Sequence, residues 1–83
     1  MPAEQIADAQ LRAVKTLLQA SRDPEWVVRY AAGGGLQALA GAATVKPDWL
    51  AEVSARLEEI AQTDETISVR ARALLAKEKL SLG

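Results

Sequence analysis

Apolar residues recur at helical spacing in four stretches of the chain, which are separated by short polar segments. In the first stretch, from about Ala3 to Ala20, the apolar stripe consists of Ala7, Leu11, Val14 and Leu18. In the second stretch it consists of Val28, Ala31, Ala32, Gly35, Leu36 and Leu39. In the third it consists of Leu50, Val53, Leu57, Ile60 and Ala61, and in the fourth of Val69, Ala73, Ala76 and Leu80. Steps of three and four residues place side chains on one face of an α-helix, so the pattern predicts an all-α chain of four helices.

Acidic residues and prolines mark where three of these helices should begin. Asp23 and Asp64 are predicted N-caps, because a carboxylate can accept the unpaired N–H groups of a helix's first turn. Pro24 would then be the first residue of the second helix, a position that requires no N–H. Pro47 should open the third helix in the same way. The second helix is expected to end near Gly41, before a link over 42–46.

The second and fourth helices carry two copies of one pattern, 41 positions apart. Each copy, at 23–29 and 64–70, has an Asp, a large apolar residue three positions later, and then Val-Arg. The same interval relates Val28, Ala32, Gly35 and Leu39 in the second stretch to Val69, Ala73, Ala76 and Leu80 in the fourth. A repeat of about 40 residues is typical of stacked helix pairs. We therefore predict an α-solenoid fragment, a single domain over 1–83 with repeats at about 3–42 and 47–80.

The two arginines of the repeat, Arg29 and Arg70, lie at the edge of the predicted buried stripe. There a guanidinium can reach a carboxylate or the carbonyl groups of a neighbouring turn. We favour a ladder of such contacts between repeats, and contact with a ligand is the alternative.

Two helix pairs are few for a solenoid, since each repeat buries one face against its neighbour. The chain is therefore expected to be part of a longer array or to stack on a partner subunit. Arg72 and Lys77 stand 41 positions after Ala31 and Leu36. This substitution predicts a narrower apolar face on the last helix, as at the end of an array.

Three consecutive glycines, residues 33–35, interrupt the second helix. Each costs about 0.8–1 kcal/mol relative to Ala in a helix interior, so some contact should compensate. At about 100° per residue, Gly35 falls on the buried face, where a neighbouring helix could approach closely. Gly33 and Gly34 fall on the opposite side.

That opposite side also carries Trp26, Tyr30 and Gln37, so two aromatic rings would border a strip without side chains. A flat aromatic or tetrapyrrole ligand, or a partner helix, could lie on such a strip. In the alternative interpretation, Trp26 only covers the start of the helix and the glycines are a tolerated defect.

Composition narrows the possible functions. Apolar residues make up 49% of the chain and charged residues 25%, as in a folded globular domain. The net charge is −1 with cations and anions interspersed, which argues against nucleic-acid binding. Neither a signal peptide nor an apolar run near the roughly 18 residues of a membrane span is recognisable, so we expect a cytoplasmic protein without membrane insertion. With no Cys and no His, the chain lacks a thiol nucleophile, an imidazole base and an ordinary zinc site.

The segment 23–32, Asp-Pro-Glu-Trp-Val-Val-Arg-Tyr-Ala-Ala, and the following Gly-Leu-Gln-Ala-Leu at 35–39 resemble the HEAT-like repeat of phycobilisome proteins. The form with Trp26 and Tyr30 is similar to subunits of the E/F-type phycobilin lyases. The resemblance covers 21–40 well and 62–80 only as a generic HEAT-like unit. Gly33 and Gly34 depart from it, because aliphatic residues are expected there.

In this family two HEAT-like subunits together attach a linear tetrapyrrole to a Cys of a phycobiliprotein. The resemblance therefore implies transient phycocyanobilin, not covalently bound, and a companion subunit or phycobiliprotein as partner. Together with the outward side of the second helix, this makes the candidate binding residues Trp26, Arg29, Tyr30, Gly33, Gly34, Gln37 and Trp49.

Some alternatives remain open at this stage. Trp49 could simply close the core over the link between the helix pairs. No residue is a convincing general acid or base, so this stretch alone is not expected to be catalytic even if the whole protein is an enzyme subunit. A cofactor-free HEAT-like adaptor that binds a protein segment is the second functional hypothesis.

Overall fold

Four α-helices make up most of the computed structural model, which describes residues 3–43 and 46–82. They are α1 (Ala3–Ala20), α2 (Trp26–Ala42), α3 (Leu50–Thr63) and α4 (Ile67–Leu82). The described residues contain no strand, which confirms the all-α prediction. The bounds predicted for α1 are confirmed, and α2 ends one residue beyond Gly41. Residues 44 and 45 of the predicted link lie outside the described ranges.

The predicted helix starts are wrong by two or three residues. Asp23 Oδ1 accepts the backbone N–H of Glu25 at 2.8 Å, and Asp64 Oδ1 accepts that of Thr66 at 2.9 Å. Each Asp therefore closes a turn before its helix instead of capping the helix's first turn, and Pro24 stays outside α2. Pro47 likewise precedes α3, and its carbonyl accepts the N–H of Leu50 at 3.1 Å.

The buried core draws on all four helices and agrees largely with the predicted stripes. Its members are Val14, Leu36, Val53, Leu57, Ile60, Val69, Ala73 and Ala76. The packing around them is completed by Leu17, Leu18, Leu39, Trp49, Ala61 and Leu80. The prediction is wrong for Ala7, Leu11 and Ala31, which are exposed. For α1 the reason is that its contacts with the core come from its second half, from Val14 onward.

The two helix pairs lie side by side, with α4 packed against both α2 and α3 and with α1 packed mainly against α2. Three side-chain contacts across the boundary between the pairs join residues 35 positions apart: Arg29 with Asp64, Ser21 with Arg56, and Gln37 with Arg72. A constant separation means that equivalent helices run in the same direction. This is the arrangement that a solenoid of helix pairs requires, and the longer array remains a prediction.

Arg72 and Lys77, which were predicted to narrow the apolar face of α4, form polar contacts with neighbouring helices. Both side chains are only partly exposed. Lys77 donates to the carboxylate of Glu58 in α3, and Arg72 lies across α2 and donates to Gln37.

None of the described helices is long and apolar enough to cross a membrane.

Candidate functional site

Two aromatic rings stand on the surface at the start of α2. Trp26 and Tyr30 are separated by one helical turn, their ring centroids are 6.4 Å apart, and the rings are perpendicular. An edge-to-face pair of this kind is a favourable aromatic arrangement. The prediction that both residues face outward is confirmed, since 46% of Trp26 and 42% of Tyr30 remain exposed.

Val27 adds exposed apolar area to the same first turns of α2, since it is 58% exposed. We call Trp26, Val27 and Tyr30 the aromatic surface. Exposed apolar groups that lie together are typical of binding surfaces, whereas isolated ones are ordinary. Aromatic rings supply large contact area with few rotatable bonds, which suits such a role.

Arg29 belongs to the same two turns of α2 but is buried among polar partners. Its Nε donates to Asp64 Oδ2 at 2.8 Å, and its Nη2 donates to Asp64 Oδ1 and to Thr66 Oγ1, each at 3.2 Å. Its Nη1 donates to the carbonyl oxygens of Asp23 and Pro24 at 2.9 and 3.0 Å. The side chain is only 10% exposed. The prediction of an arginine–carboxylate ladder between repeats is confirmed for this residue, and its binding of a ligand is untested.

Arg29 and Asp64 shift each other's pKa in the direction that favours both charges. The hydrogen bond with Asp64 raises the pKa of Arg29 above its usual value, although burial acts in the opposite direction. Burial tends to raise the pKa of Asp64, but the hydrogen bonds from Arg29 and from the Thr66 N–H outweigh it, so the pKa is lowered. Asp64 is therefore an anion at neutral pH. The pair thus attaches the turn before α2 to the second helix pair. The helix that follows this turn, α2, carries the aromatic surface.

The glycines are not an open strip, contrary to the sequence-based prediction. Gly33 is buried and Gly34 is partly buried, because the side chain of Arg72 in α4 lies across them. A Cβ added to Gly33 would lie 3.7 Å from Arg72 Cγ, and one added to Gly34 would lie 3.1 Å from Arg72 Nη2. The absence of a side chain at Gly34 therefore makes room for an arginine of the neighbouring repeat, whereas Gly33 is only covered by it.

Gln37 and Gly35 complete this packing. Gln37 accepts a hydrogen bond from Arg72 Nη1 through its Oε1 at 2.8 Å, so its amide is engaged inside the protein. Gly35 faces α1, where a Cβ would meet Leu17 Cδ2 at 2.9 Å. The predicted close approach at Gly35 is confirmed. The glycine run thus has a structural explanation on both sides of α2.

Trp49 is not brought to the aromatic surface. It immediately precedes α3 and packs against the buried core. Within the described part of the chain it forms no ring pair with Trp26 or Tyr30. Its position supports the alternative that it closes the core beside the link between the helix pairs.

A groove between α1 and α3 was missed by the sequence-based reasoning. It has a volume of about 640 Å³ and is lined by both cations and anions, including Arg22, Arg56, Glu52 and Glu59. Arg56 is tied down there, since its Nε and Nη2 donate to the Oγ and carbonyl oxygen of buried Ser21, both at 2.9 Å. The groove arises where two repeats meet, so no single sequence motif encodes it.

Comparison with known proteins gives relatives for most of the chain. It is 45% identical over 74 residues to "Phycocyanobilin lyase subunit beta" of Pseudanabaena tenuis, a match that covers 87% of this chain and 26% of that protein. A protein of the same description from Nostoc sp. is 44% identical over 69 residues, which are 83% of this chain and 32% of the relative. "Phycobilisome maturation protein" of Synechococcus elongatus is 48% identical over 61 residues, 74% of this chain and 28% of the relative. No family model and no solved structure matches the chain.

The matches include the segment on which the resemblance rested, since each covers about three quarters of the chain or more. The chain spans about a quarter to a third of the length of these relatives. The resemblance is therefore confirmed: the chain is a relative of the phycocyanobilin lyase beta subunits and is like a segment of an E/F-type lyase subunit.

Proposed function

We propose that this chain is a HEAT-like module of a heterodimeric phycobilin lyase. In this role its aromatic surface contacts the bilin or the companion subunit while phycocyanobilin is attached to a Cys of a phycobiliprotein. The observation that carries the proposal is the exposed, perpendicular pair of Trp26 and Tyr30 beside Val27. The similarity to phycocyanobilin lyase beta subunits supports the same process.

The chemistry of the chain suits a binding role. Attachment uses the thiol of the acceptor protein, so a subunit without Cys or His contributes by holding and orienting the reactants. A conjugated tetrapyrrole offers flat apolar faces, which aromatic side chains bind well. Arg29 acts here as a positioning residue, because its guanidinium is engaged by Asp64 and Thr66 and fixes the start of the helix that carries both rings.

The test is a titration of the chain with phycocyanobilin, alone and together with a companion lyase subunit and the apo-phycobiliprotein. Absorbance and fluorescence of the bilin report contact, and sedimentation reports protein binding. Trp26→Ala and Tyr30→Ala should each weaken the interaction by about tenfold or more, as removal of an aromatic anchor does. The matched control is Ile67→Ala, since Ile67 stands at the position of Trp26 in the second repeat and is 73% exposed. It should leave the interaction unchanged.

Two results would contradict the proposal. One is the absence of any spectral change together with no binding of the companion subunit. The other is binding of a protein partner that depends on Trp26 and Tyr30 and has the same affinity with and without bilin. The second result would favour the cofactor-free adaptor.

A further inference from the structure

Arg29 and Arg70 make the same contact within their own repeats. Arg29 Nη1 donates to the carbonyl oxygen of Asp23 at 2.9 Å, and Arg70 Nη1 donates to that of Asp64 at 2.6 Å. Each guanidinium is thereby anchored to the turn that precedes its helix. The two arginines are therefore equivalent in structure as well as in sequence.

They differ in what the other guanidinium nitrogens bind. Arg29 Nε and Nη2 hold the carboxylate and hydroxyl of Asp64 and Thr66 in the next helix pair. Among the residues that the structure describes, Arg70 has no such carboxylate, and its only side-chain hydrogen bond is to the Asp64 carbonyl. Arg70 is partly exposed on α4, and its remaining guanidinium N–H groups can donate to an anion.

The first helix pair carries the complementary group. Asp23 forms the same turn as Asp64, with its Oδ1 bound to a backbone N–H two residues on, and in the described ranges no arginine side chain bonds its carboxylate. Glu25, which is exposed, stands at the position of Thr66. We call the contact between the two helix pairs of one chain the internal joint. Glu25 thus offers a second carboxylate at the position where, in the internal joint, Arg29 binds the hydroxyl of Thr66.

Side-chain size at the two outer faces is complementary too. In the internal joint Arg72 lies across Gly33 and Gly34. The residues 41 positions after these glycines are Leu74 and Leu75, which are 47% and 46% exposed. The residue 41 positions before Arg72 is Ala31, which is exposed as well. In the internal joint α2 carries the small residues and α4 the large one at these positions. On the outer faces the counterparts of the glycines are large and the counterpart of Arg72 is small, so the two faces can pack against one another.

We propose that two copies of this chain associate head to tail, with α4 of one copy packed on α2 of the next. Arg70 of the first copy binds Asp23 and Glu25 of the second, and Leu74 and Leu75 cover Ala31. The joint continues the contact that already unites the two helix pairs within one chain. Because the two surfaces differ, the association is heterologous and can extend beyond two copies.

The experiment uses sedimentation velocity and small-angle scattering on the chain over a series of concentrations. Asp23→Asn keeps the oxygen that forms the turn and removes the charge, while Arg70→Gln removes the guanidinium. In each variant alone the dissociation constant of self-association should rise about thirtyfold or more. This is the usual result of removing one member of a close interfacial charge pair. Mixed together they should form a dimer that does not grow, because each retains one intact surface. Lys79→Gln is the control for Arg70→Gln, because it also removes one positive charge from α4. Its counterpart in the first repeat, Ala38, is exposed and so lies outside the contact between the two helix pairs.

Circular dichroism of each variant separates loss of association from loss of folding. A wild-type chain that stays monomeric throughout the concentration series would overturn the proposal, as would a mixture of the two variants that fails to dimerise while both remain folded. Binding of a companion lyase subunit that requires Arg70, with no self-association, would also overturn it by assigning the face to another partner.

Discussion

The guanidinium of Arg29 in the first helix pair binds the carboxylate of Asp64 in the second, with 2.8 Å between Arg29 Nε and Asp64 Oδ2. Only 10% and 7% of the two side chains remain exposed. The contact joins the turn before α2 to the turn before α4, so the residues that repeat along the sequence are the ones that bind the repeats together.

The stabilisation that the Asp64 charge provides should depend on pH. Asp64→Asn should lower the free energy of unfolding at pH 7 by about 1–3 kcal/mol, as expected for a hydrogen bond to a charged group. Because the folded protein lowers the pKa of Asp64, its contribution is present above the unfolded pKa of about 3.9 and is lost as pH falls through the folded pKa. Urea unfolding of both proteins at pH 7 and at acidic pH measures the difference, which should shrink at acidic pH.

Asp23→Asn is the matched control for that measurement. It alters the same kind of turn, but within residues 3–43 and 46–82 no arginine side chain bonds the Asp23 carboxylate. Its cost at pH 7 should therefore be smaller than that of Asp64→Asn. Equal losses from both variants would mean that the turn, and not the pair with Arg29, stabilises the fold.

Three glycine substitutions in α2 should have graded effects. Gly33→Ala should raise stability by about 0.8–1 kcal/mol, because Ala favours the helix and its Cβ would meet Arg72 Cγ at an ordinary contact distance of 3.7 Å. Gly35→Ala should lower the melting temperature below that of the wild type, because its Cβ would lie 2.9 Å from Leu17 Cδ2 and overpacking outweighs helix propensity. Gly34→Ala should fall between them. Calorimetric melting temperatures test the order, and a stabilising Gly35→Ala would contradict the predicted overpacking against the Leu17 side chain.

Arg72 and Gly34 should be energetically coupled. In the wild type, the Cβ of Gly34→Ala would lie 3.1 Å from Arg72 Nη2, so part of the gain in helix propensity is lost when the guanidinium moves. In an Arg72→Ala background the full gain of about 1 kcal/mol should appear. A double-mutant cycle by chemical denaturation should give a coupling energy of about 0.5 kcal/mol or more. Additive effects would show that Arg72 does not occupy the glycine surface in solution.

Arg56 should contribute to stability where its counterpart Lys15 does not. Arg56 donates to the Oγ and the carbonyl oxygen of buried Ser21, so Arg56→Ala should cost about 1–2 kcal/mol. Lys15 stands 41 positions earlier and is exposed, and Lys15→Ala should change little. Denaturant midpoints of the two variants provide the comparison, and similar midpoints would contradict the structural role of Arg56.

Much of the fold follows from short-range patterns. The stripe of Val53, Leu57 and Ile60 in α3 is buried as its spacing predicts, since a helix imposes its own periodicity on neighbouring side chains. The ladder contact of Arg29 was also foreseeable, because the repeat placed an arginine beside the expected boundary between helix pairs. The exact helix starts were less predictable: an Asp can cap a helix or close the turn before it, and the surrounding sequence permits both.

The candidate site was predictable only in part. Trp26 and Tyr30 face outward as expected, since both depend on the phase of a single helix. Gly33 and Gly34 were misplaced because the residue that covers them, Arg72, lies in another helix pair. Trp49 was grouped with the other aromatic residues by type, whereas its packing against the core depends on the path of the link before α3.

The sequence by itself determined the four helices, the 41-residue repeat and the outward aromatic pair, because each follows from periodicity along one segment. The sequence predicted that Arg29 would reach a carboxylate of the other repeat, but only the tertiary structure decided that its partner is Asp64, that Arg56 binds Ser21, and that Arg72 lies across the glycines. The hydrogen bonds of Arg29 with Asp64, Arg56 with Ser21 and Arg72 with Gln37 join residues 35 positions apart although the repeat is 41 long, because each long arginine side chain reaches a residue six positions from its own counterpart. Which residue it reaches depends on how helices of different repeats pack together, and no pattern within one helix specifies that packing.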